Sequence, residues 1–268
     1  MCGVVGIIGK KNASSLVLEG LKKLEYRGYD SAGIASFYQK SIQVAKSEGK
    51  LVNLINKVND LAKDNLYYDT SIALGHTRWA THGNINIKNA HPLTSENRVA
   101  VVHNGIIENY ASIKKTLESE GYVFTSQTDT EVLPHLFNKY LKKGHDFLQA
   151  GRLVLKEIKG AFAFVAICLD FPDQLFVSRN SSPLAIGLGE GSNFVGSDAQ
   201  SINHLTNKII YLEDGDYALI KVNNIEIFDN ESNKIDRKII NVQSELGLIT
   251  KGGYKHFMEK EIYEQPSV

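Results

Sequence analysis

Apolar and polar positions divide the chain into a strand-rich beginning, a helical middle and a strand-rich end. Short apolar or alternating runs predict strands over 2–8, 33–38, 42–46, 71–79, 99–107, 161–169, 175–178, 184–188, 194–196, 209–212, 217–222 and 225–228. Apolar residues at helical spacing predict helices over 14–27, 51–61, 108–120, 130–142 and 145–158. Asp214–Gly215 and Asn223–Asn224 predict hairpin-like turns. Because the helices cluster instead of alternating with single strands, the pattern favours layered α+β architecture over regular βαβ winding.

The composition is that of a globular protein without a strongly charged partner. The chain has 268 residues, 43% of them hydrophobic, which suffices for a sizeable core, and we interpret 1–268 as one domain. Thirty Lys and Arg balance thirty Asp and Glu, so we expect no binding to nucleic acid or to an anionic membrane. No apolar stretch approaches the ~20 residues of a membrane span. Two Cys cannot form a disulfide framework, which indicates a reducing compartment, and we expect a cytoplasmic protein.

Several local patterns resemble functional motifs without meeting their requirements. Gly9–Lys10 lacks the earlier Gly and the following Ser or Thr of a phosphate-binding loop. The spacing of Gly187, Gly189 and Gly191 does not fit a dinucleotide-binding loop. The eight His form no HxxxH pair and no CxxC is present, so we predict neither a metal nor a cofactor. Cys168 lies inside an apolar strand and is interpreted as an inert core thiol.

Cys2 combines two reactive groups if Met1 is removed, as is expected before so small a residue. An N-terminal Cys carries a thiol and an α-amine on one residue, and the amine's reference pKa of ~7.7–8.0 leaves part of it unprotonated at neutral pH. The amine can accept the thiol proton and pass it to a leaving group. One residue thus supplies both the nucleophile and the base, and no histidine is needed. Considered alone, Cys2 is better explained as a buried second residue.

Polar clusters elsewhere in the chain change that interpretation. They are Glu25–Gly33, His76–Gly83, His103–Gly105 and Thr128–Glu131. Each has a structural explanation by itself; Asp129, for example, could be an ordinary helix N-cap. Together they supply a cation, an anion, an amide donor and a nucleophile, which is the set that amide hydrolysis requires.

The sequence resembles the glutaminase domain of the class II glutamine amidotransferases, in the N-terminal-nucleophile hydrolase superfamily. The blocks that carry the resemblance are Cys2–Gly3 with its apolar strand, LEYRGYDSAGIA (Leu24–Ala35), HTRWATHG (His76–Gly83), NAHP (Asn89–Pro92), VVHNGIIENY (Val101–Tyr110), TDTEV (Thr128–Val132) and KEIYEQP (Lys260–Pro266). They span almost the whole chain in order, and YRGYDSAG is typical of the family's sugar-phosphate branch. The resemblance implies a four-layer αββα sandwich in which two antiparallel sheets lie between helices.

The resemblance also implies a role for each matching polar residue. Cys2 is expected to attack the side-chain amide of L-glutamine, giving a γ-glutamyl thioester and ammonia, with its own α-amine as general acid and base. The expected oxyanion donors are the Asn104 side chain and the Gly105 backbone N–H. The expected partners of the substrate α-carboxylate and α-ammonium are Arg78 and Asp129.

Further residues are implied in supporting roles. The residues expected to form a lid over bound glutamine are Trp79, Thr81, His82 and Gly83. Arg27 is expected to organise the terminal residue. His91 is a weaker candidate, as readily structural as functional.

In the sugar-phosphate branch an isomerase region follows the glutaminase, and the ammonia converts fructose 6-phosphate to glucosamine 6-phosphate. The printed sequence stops just after 260–266, so we expect the glutaminase half alone, with roughly 240–268 as a tail towards the isomerase partner. The parent protein is expected to be a homo-oligomer. Two alternatives stay open: a phosphoribosyl-amine- or asparagine-forming branch of the family, which YRGYD and KEIYEQP argue against, and a non-enzymatic glutamine sensor.

Overall fold

Two antiparallel sheets stack face to face, and helices cover the outer face of each. The computed structural model describes residues 2–9, 12–38, 40–62, 70–80, 83–242, 254, 259 and 262–263. The strands are β1 Gly3–Ile8, β2 Ser31–Tyr38, β3 Ser41–Glu48, β4 Ile72–Arg78, β5 Leu93–Ser95, β6 Val99–Ile107, β7 Gly160–Cys168, β8 Phe171–Asn180, β9 Ala185–Gly189, β10 Ser192–Gly196, β11 Lys208–Tyr211, β12 Tyr217–Ile220, β13 Ile225–Phe228, β14 Lys234–Ile235 and β15 Ile239–Asn241. The helices are α1 Ala13–Leu24, α2 Leu51–Ala62, α3 Tyr110–Ser119, α4 Val132–Lys142 and α5 Phe147–Glu157.

Three apolar cores separate the four layers. The middle core lies between the sheets and contains Val4, Leu74, Val102 and Val165, all fully buried. A second core joins α1 and α2 to the eight-stranded sheet, and a third joins α3, α4 and α5 to the seven-stranded sheet. Burial of each large apolar side chain stabilises the fold by about 1.5–3 kcal/mol. The predicted α+β sandwich is therefore confirmed.

The N-terminal strand occupies the centre of the first sheet, whose order is β15-β11-β9-β10-β1-β4-β2-β3. A strand with neighbours on both edges and helices and a second sheet on its two faces must be apolar throughout, and every residue of β1 is buried. β1 runs antiparallel to β4, with Gly3 opposite Thr77. Cys2 is therefore held beside the end of β4, where Arg78 and Trp79 lie.

The second sheet has the order β14-β13-β12-β8-β7-β6-β5 and carries predicted site residues at the end of β6. β6 and β4 contact each other across the space between the sheets. The polar end of β6, at Asn104 and Gly105, consequently lies close to the start of β1. A short 3₁₀ turn, Asp129–Glu131, packs against β6 before α4 begins.

The predicted long elements are confirmed, and the errors fall on short or polar segments. β5, β14 and β15 were not predicted, because runs of two or three residues are too short to show periodicity. β8 starts at Phe171, earlier than the predicted 175–178, because its first residues are partly exposed and polar. Asn223–Asn224 does form a hairpin turn, with Lys221 N–H donating to the Asn224 carbonyl over 2.8 Å. Asp214–Gly215 is a turn but not a hairpin, since it joins β11 of one sheet to β12 of the other.

Two further observations concern the ends and the surface of the chain. Residues 239–241 pair with β11, and most of the predicted tail 240–268 lies outside the described residues. Within the part of the chain that the structure describes, no helix is long and apolar enough to cross a membrane.

Candidate active site

The Cys2 sulfur lies against the backbone of Trp79. The Trp79 N–H donates a hydrogen bond to Cys2 Sγ over 3.1 Å, and the Trp79 carbonyl oxygen is 3.4 Å from the same sulfur. Burial raises the pKa of the Cys2 thiol, while the Trp79 hydrogen bond and the positive charge of Arg78 act to lower it. The thiol is therefore protonated at rest at neutral pH, and a base would be needed to form the reactive thiolate.

The polar turn after α1 holds this stretch of β4 in place. Asp30 Oδ2 accepts a hydrogen bond from the Ala80 N–H over 2.8 Å, and the Asp30 N–H donates to the Arg78 carbonyl over 3.0 Å. A Cβ on Gly28 would lie 2.8 Å from the Arg78 carbonyl carbon, so only glycine allows the turn to pack this closely. Tyr29 packs edge-on against the Trp79 ring, with ring centroids 5.6 Å apart.

Asn104 and Gly105 face the start of β1 from the second sheet. The Asn104 side chain donates from Nδ2 to the Cys2 carbonyl oxygen over 3.0 Å. Gly105 has φ +127°, and a Cβ there would lie 2.0 Å from the Ala161 carbonyl oxygen. No residue other than glycine fits this position, which keeps the backbone beside Cys2 open.

A small cavity brings most of the predicted site residues together. Its lining consists of Cys2, His76, Arg78, Trp79, His91, His103, Gly105, Thr128, Asp129 and Thr130. Its volume is about 20 Å³, which is room for about one water molecule. A larger ligand would either extend beyond this space or displace part of its lining, in which Trp79, 45% exposed, is the most accessible large side chain.

Arg78 and Asp129 contribute opposite charges to this cavity. Both side chains are buried, and the Arg78 guanidinium donates from Nη1 to the Asn84 carbonyl over 3.3 Å. Asp129 Oδ2 accepts the Ile107 N–H over 2.7 Å. The helix-cap explanation for Asp129 is wrong, because Thr128 occupies the N-cap position and no side chain caps this 3₁₀ turn.

Three buried imidazoles form part of the cavity lining. The His76 and His91 ring centroids are 4.2 Å apart, and those of His91 and His103 are 6.4 Å apart. Burial lowers the pKa of His76 to about 3 and that of His103 to about 4, and it lowers the pKa of His91 well below its usual value. All three are therefore neutral at physiological pH. Among the described residues, no group of three or more His, Cys, Asp or Glu is placed to hold a metal ion.

The segment after Trp79 is anchored at both of its described ends. Ala80 is held by Asp30, as described above. On the other side, the Asn84 N–H donates to Gln127 Oε1 over 3.2 Å, and the Asn89 side chain donates to the same oxygen over 3.0 Å. The φ of Gly83 is +78°, and a Cβ there would approach Asn89 Nδ2 to 2.8 Å. Thr81 and His82 lie outside the described residues, so their predicted role in a lid stays a prediction.

Arg27 does not line the cavity with Cys2. Its guanidinium forms an ion pair with Asp198 at 2.5 Å and a hydrogen bond to the Tyr26 hydroxyl over 3.1 Å. The neighbouring Ser197 bonds to the β1 backbone in both directions: its N–H donates to the Val4 carbonyl, and its hydroxyl accepts the Val4 N–H. Asp198 and Ser197 therefore connect Arg27 to β1, and the predicted role of Arg27 in organising the terminal residue stays a prediction.

Sequence reasoning missed the contacts that support the site. The sequence shows His76 and His103 only as members of polar clusters, whereas in the structure they line the cavity, and Asn89 and Gln127 anchor the segment after Trp79. A polar residue inside an otherwise apolar strand, such as His76 in β4, is the signal that could have identified one of them. His91, the weaker candidate, also lines the cavity.

Comparison with known proteins gives consistent results. Residues 76–204 match a glutamine amidotransferase domain family. The chain is 48% identical to the glutamine–fructose-6-phosphate aminotransferase (isomerizing) of Acinetobacter baylyi, over 99% of this chain and 42% of that protein. It is 48% identical to the protein of the same name in Fusobacterium nucleatum, over 100% of this chain and 43% of that protein. The chain thus spans about two fifths of the length of these relatives.

Solved structures share the fold. The glutamine phosphoribosylpyrophosphate amidotransferase of B. subtilis matches with a TM-score of 0.71 and 26% identity, over 87% of this chain and 50% of that one. A glutamine aminotransferase class-II domain protein from Silicibacter pomeroyi matches with a TM-score of 0.58 at 15% identity, which bears on the fold alone.

Proposed function

Because the chain belongs to the family of glutamine amidotransferase domains, we propose that it hydrolyses L-glutamine to L-glutamate and ammonia through a thioester on Cys2. One observation carries this proposal. The Cys2 sulfur sits at a cavity that a buried cation, Arg78, and a buried anion, Asp129, also line. L-Glutamine presents the matching charges, an α-carboxylate and an α-ammonium, with its amide at the far end of the side chain.

Cys2 would supply both the nucleophile and the base. Its sulfur attacks the side-chain amide carbon, and the thiol proton passes to the α-amine that is free once Met1 is removed. The amine returns the proton to the departing nitrogen, which leaves as ammonia, and a γ-glutamyl thioester remains. Water then adds to the thioester carbon and releases glutamate and the thiol.

The negative charge that develops on the amide oxygen needs donors. The Asn104 amide already points its Nδ2 at the Cys2 backbone, and the Gly105 N–H belongs to the exposed end of β6. Together they are the proposed oxyanion donors, and removal of one such donor typically costs ~10²–10³ in rate.

Arg78 and Asp129 would orient the substrate. The planar fork of Arg78 can bind a carboxylate through two parallel hydrogen bonds. Asp129 is fixed by the Ile107 N–H, which leaves its other oxygen for the ammonium. The cavity is far smaller than glutamine, and Trp79 is the most exposed large side chain of its lining, so Trp79 would move aside when the substrate enters.

The acceptor of the ammonia follows from the relatives. Identity of 48% to two aminotransferases named for fructose 6-phosphate exceeds the 26% to the phosphoribosylpyrophosphate enzyme. We therefore propose that the ammonia serves the conversion of fructose 6-phosphate to glucosamine 6-phosphate, with an isomerase domain as partner. Because the 268 residues match less than half of each relative, this polypeptide by itself is expected to release ammonia without forming amino sugar.

The test is release of glutamate and ammonia from L-glutamine by the pure chain, in equal amounts, with L-asparagine and D-glutamine as control substrates. Intact mass must first show that Met1 is absent. The proposal predicts turnover of L-glutamine alone. The absence of turnover in a folded chain that starts at Cys2 would reject it and would favour the glutamine-sensor alternative.

A further inference from the structure

We propose that His76 is a positioning residue for amide hydrolysis: its Nε2–H fixes the Asn104 side chain so that Nδ2, and not Oδ1, faces the reacting centre. The proposal rests on the proposed glutaminase function. Within it, His76 acts through Asn104 and does not itself touch the nucleophile.

The first argument comes from the hydrogen-bond partners of the ring. His76 Nε2 lies 3.0 Å from the His103 carbonyl oxygen and 3.1 Å from Asn104 Oδ1. A carbonyl oxygen can only accept, so Nε2 must carry a hydrogen. The Asn104 atom that faces this hydrogen must then be an acceptor, which is the amide oxygen.

The second argument comes from the other end of the Asn104 amide. With Oδ1 facing His76, Nδ2 donates to the Cys2 carbonyl oxygen over 3.0 Å. A flipped amide would place its NH₂ group against the Nε2–H and its oxygen against the Cys2 carbonyl. Both contacts would be repulsive, and the flipped oxygen would repel an oxyanion instead of stabilising it.

The third argument concerns the second ring nitrogen. His76 Nδ1 is buried and has no hydrogen-bond partner among the described residues. A bare lone pair is tolerated there far better than an unpaired N–H, so the geometry favours the neutral ring with its hydrogen on Nε2. Burial also lowers the pKa of His76 to about 3, so the ring stays in this form throughout the neutral range.

The test uses two variants of His76 and one of Asn104. In His76→Leu the donor is absent, and we expect kcat to fall by about 10²-fold with KM nearly unchanged, because the substrate clamp is intact. In His76→Gln the side-chain amide can place an N–H near the position of Nε2, and we expect kcat to recover to within roughly tenfold of the wild type. Equal kcat in both variants and the wild type would overturn the proposal.

A double-mutant cycle separates positioning from general structural damage. Asn104→Leu removes the amide, so the double variant with His76→Leu should be no slower than Asn104→Leu alone. If the fold-decrease of kcat in the double variant equals the product of the two single decreases, His76 acts independently of Asn104, which contradicts the proposal.

A direct readout needs no turnover. The side-chain ¹⁵N resonances of His76 in the wild-type chain should show the Nε2–H tautomer, unchanged between pH 5 and 8. An Nδ1–H tautomer or a protonated ring in this range would refute the proposal even if His76→Leu fails to fold. Wild-type turnover, measured alongside, separates the outcomes: an inactive wild type rejects the glutaminase function, whereas an active wild type with the wrong tautomer rejects only the role of His76.

Discussion

The backbone N–H of Trp79 donates a hydrogen bond to the Cys2 sulfur over 3.1 Å, so the residue that follows β4 holds the residue that precedes β1. The antiparallel register of the two strands, with Gly3 opposite Thr77, produces this contact. Since an N–H stabilises a thiolate more than a thiol, the contact also favours the reactive form of Cys2 against the opposing effect of burial.

Replacement of Cys2 should abolish turnover, and replacement of the other cysteine should not. Cys2→Ala removes the nucleophile, and glutamine binding should persist because Arg78 and Asp129 are untouched. Cys168→Ala is the matched control: this thiol is fully buried in β7, and burial raises its pKa to about 11. Glutamate release and isothermal titration with L-glutamine measure the two effects. Turnover in Cys2→Ala, or its loss in a folded Cys168→Ala, would contradict the assignment.

Asp129→Asn should lower kcat/KM for L-glutamine by a factor of some tens to thousands, because the loss of a charged partner typically costs ~2–5 kcal/mol. Alkylation of Cys2 by a small neutral electrophile should change little. Glu131→Gln provides the comparison, since Glu131 is equally buried but accepts hydrogen bonds from Thr125 and Ser126. We expect that variant to lose stability in urea unfolding instead of substrate affinity. If Glu131→Gln instead lowered kcat/KM and Asp129→Asn lowered only stability, the substrate's ammonium would bind at Glu131.

Gly105→Ala should reduce both activity and stability. A positive φ of this size costs an alanine on the order of 1–3 kcal/mol, and at Gly105 the added carbon also collides with the Ala161 carbonyl oxygen. Gly121→Ala is the control, because φ there is +91° but a Cβ would meet nothing within 4 Å. Urea unfolding should therefore show a small loss for Gly121→Ala and a larger one for Gly105→Ala, with at least a tenfold loss of kcat in the second alone. Equal losses of stability and kcat in the two variants would mean that the contact with the Ala161 carbonyl oxygen is unimportant.

The buried imidazoles predict a loss of stability in mild acid. The pKa of His76 is about 3 and that of His103 about 4 in the folded chain, against ~6.5 in the unfolded chain, so between about 4 and 6.5 the unfolded chain binds more protons. The free energy of unfolding is therefore unaffected by these groups above pH 6.5 and falls as the pH drops below it. Each of them contributes up to about 1.4 kcal/mol per pH unit. Urea unfolding at pH 7, 6 and 5 measures the slope.

His91→Asn tests the origin of that slope. The asparagine oxygen can accept the His103 N–H that His91 Nδ1 accepts in the wild type. The variant should take up about one proton fewer on unfolding, because the pKa of His91 also lies well below its usual value. The same slope in both proteins would show that His91 does not contribute. Arg78, Lys46 and Asp129, whose charges act on this cluster, are the same in both proteins.

The sequence predicts elements well where burial makes them periodic or wholly apolar. β1 is recognisable because both of its faces are buried, and α2 because one face is. β14 and β15 are short and largely exposed, so their pairing depends on neighbours that the local sequence does not reveal. The turn at Asp214–Gly215 has the composition of a hairpin, but only the tertiary structure determines that its two strands enter different sheets.

The site is predictable in its residues and not in its contacts. Motif blocks predict Cys2, Arg78, Asn104 and Asp129 as site residues; all but Asn104 line the same cavity, and Asn104 is hydrogen-bonded to Cys2. The hydrogen bond from His76 to Asn104 cannot be inferred in this way, because it crosses from one sheet to the other. Such a contact depends on how the two sheets are stacked, which no local pattern encodes.

The most direct measurement of the central claim is covalent labelling with a diazoketone analogue of L-glutamine. The thiol displaces N₂ from this reagent, which leaves one stable carbon–sulfur bond on the residue that attacks the substrate. Our account predicts one label per chain, located by peptide mass spectrometry on Cys2 of a chain without Met1, and protection by excess L-glutamate. Labelling of Cys168, or no label on a chain that still hydrolyses glutamine, would contradict it.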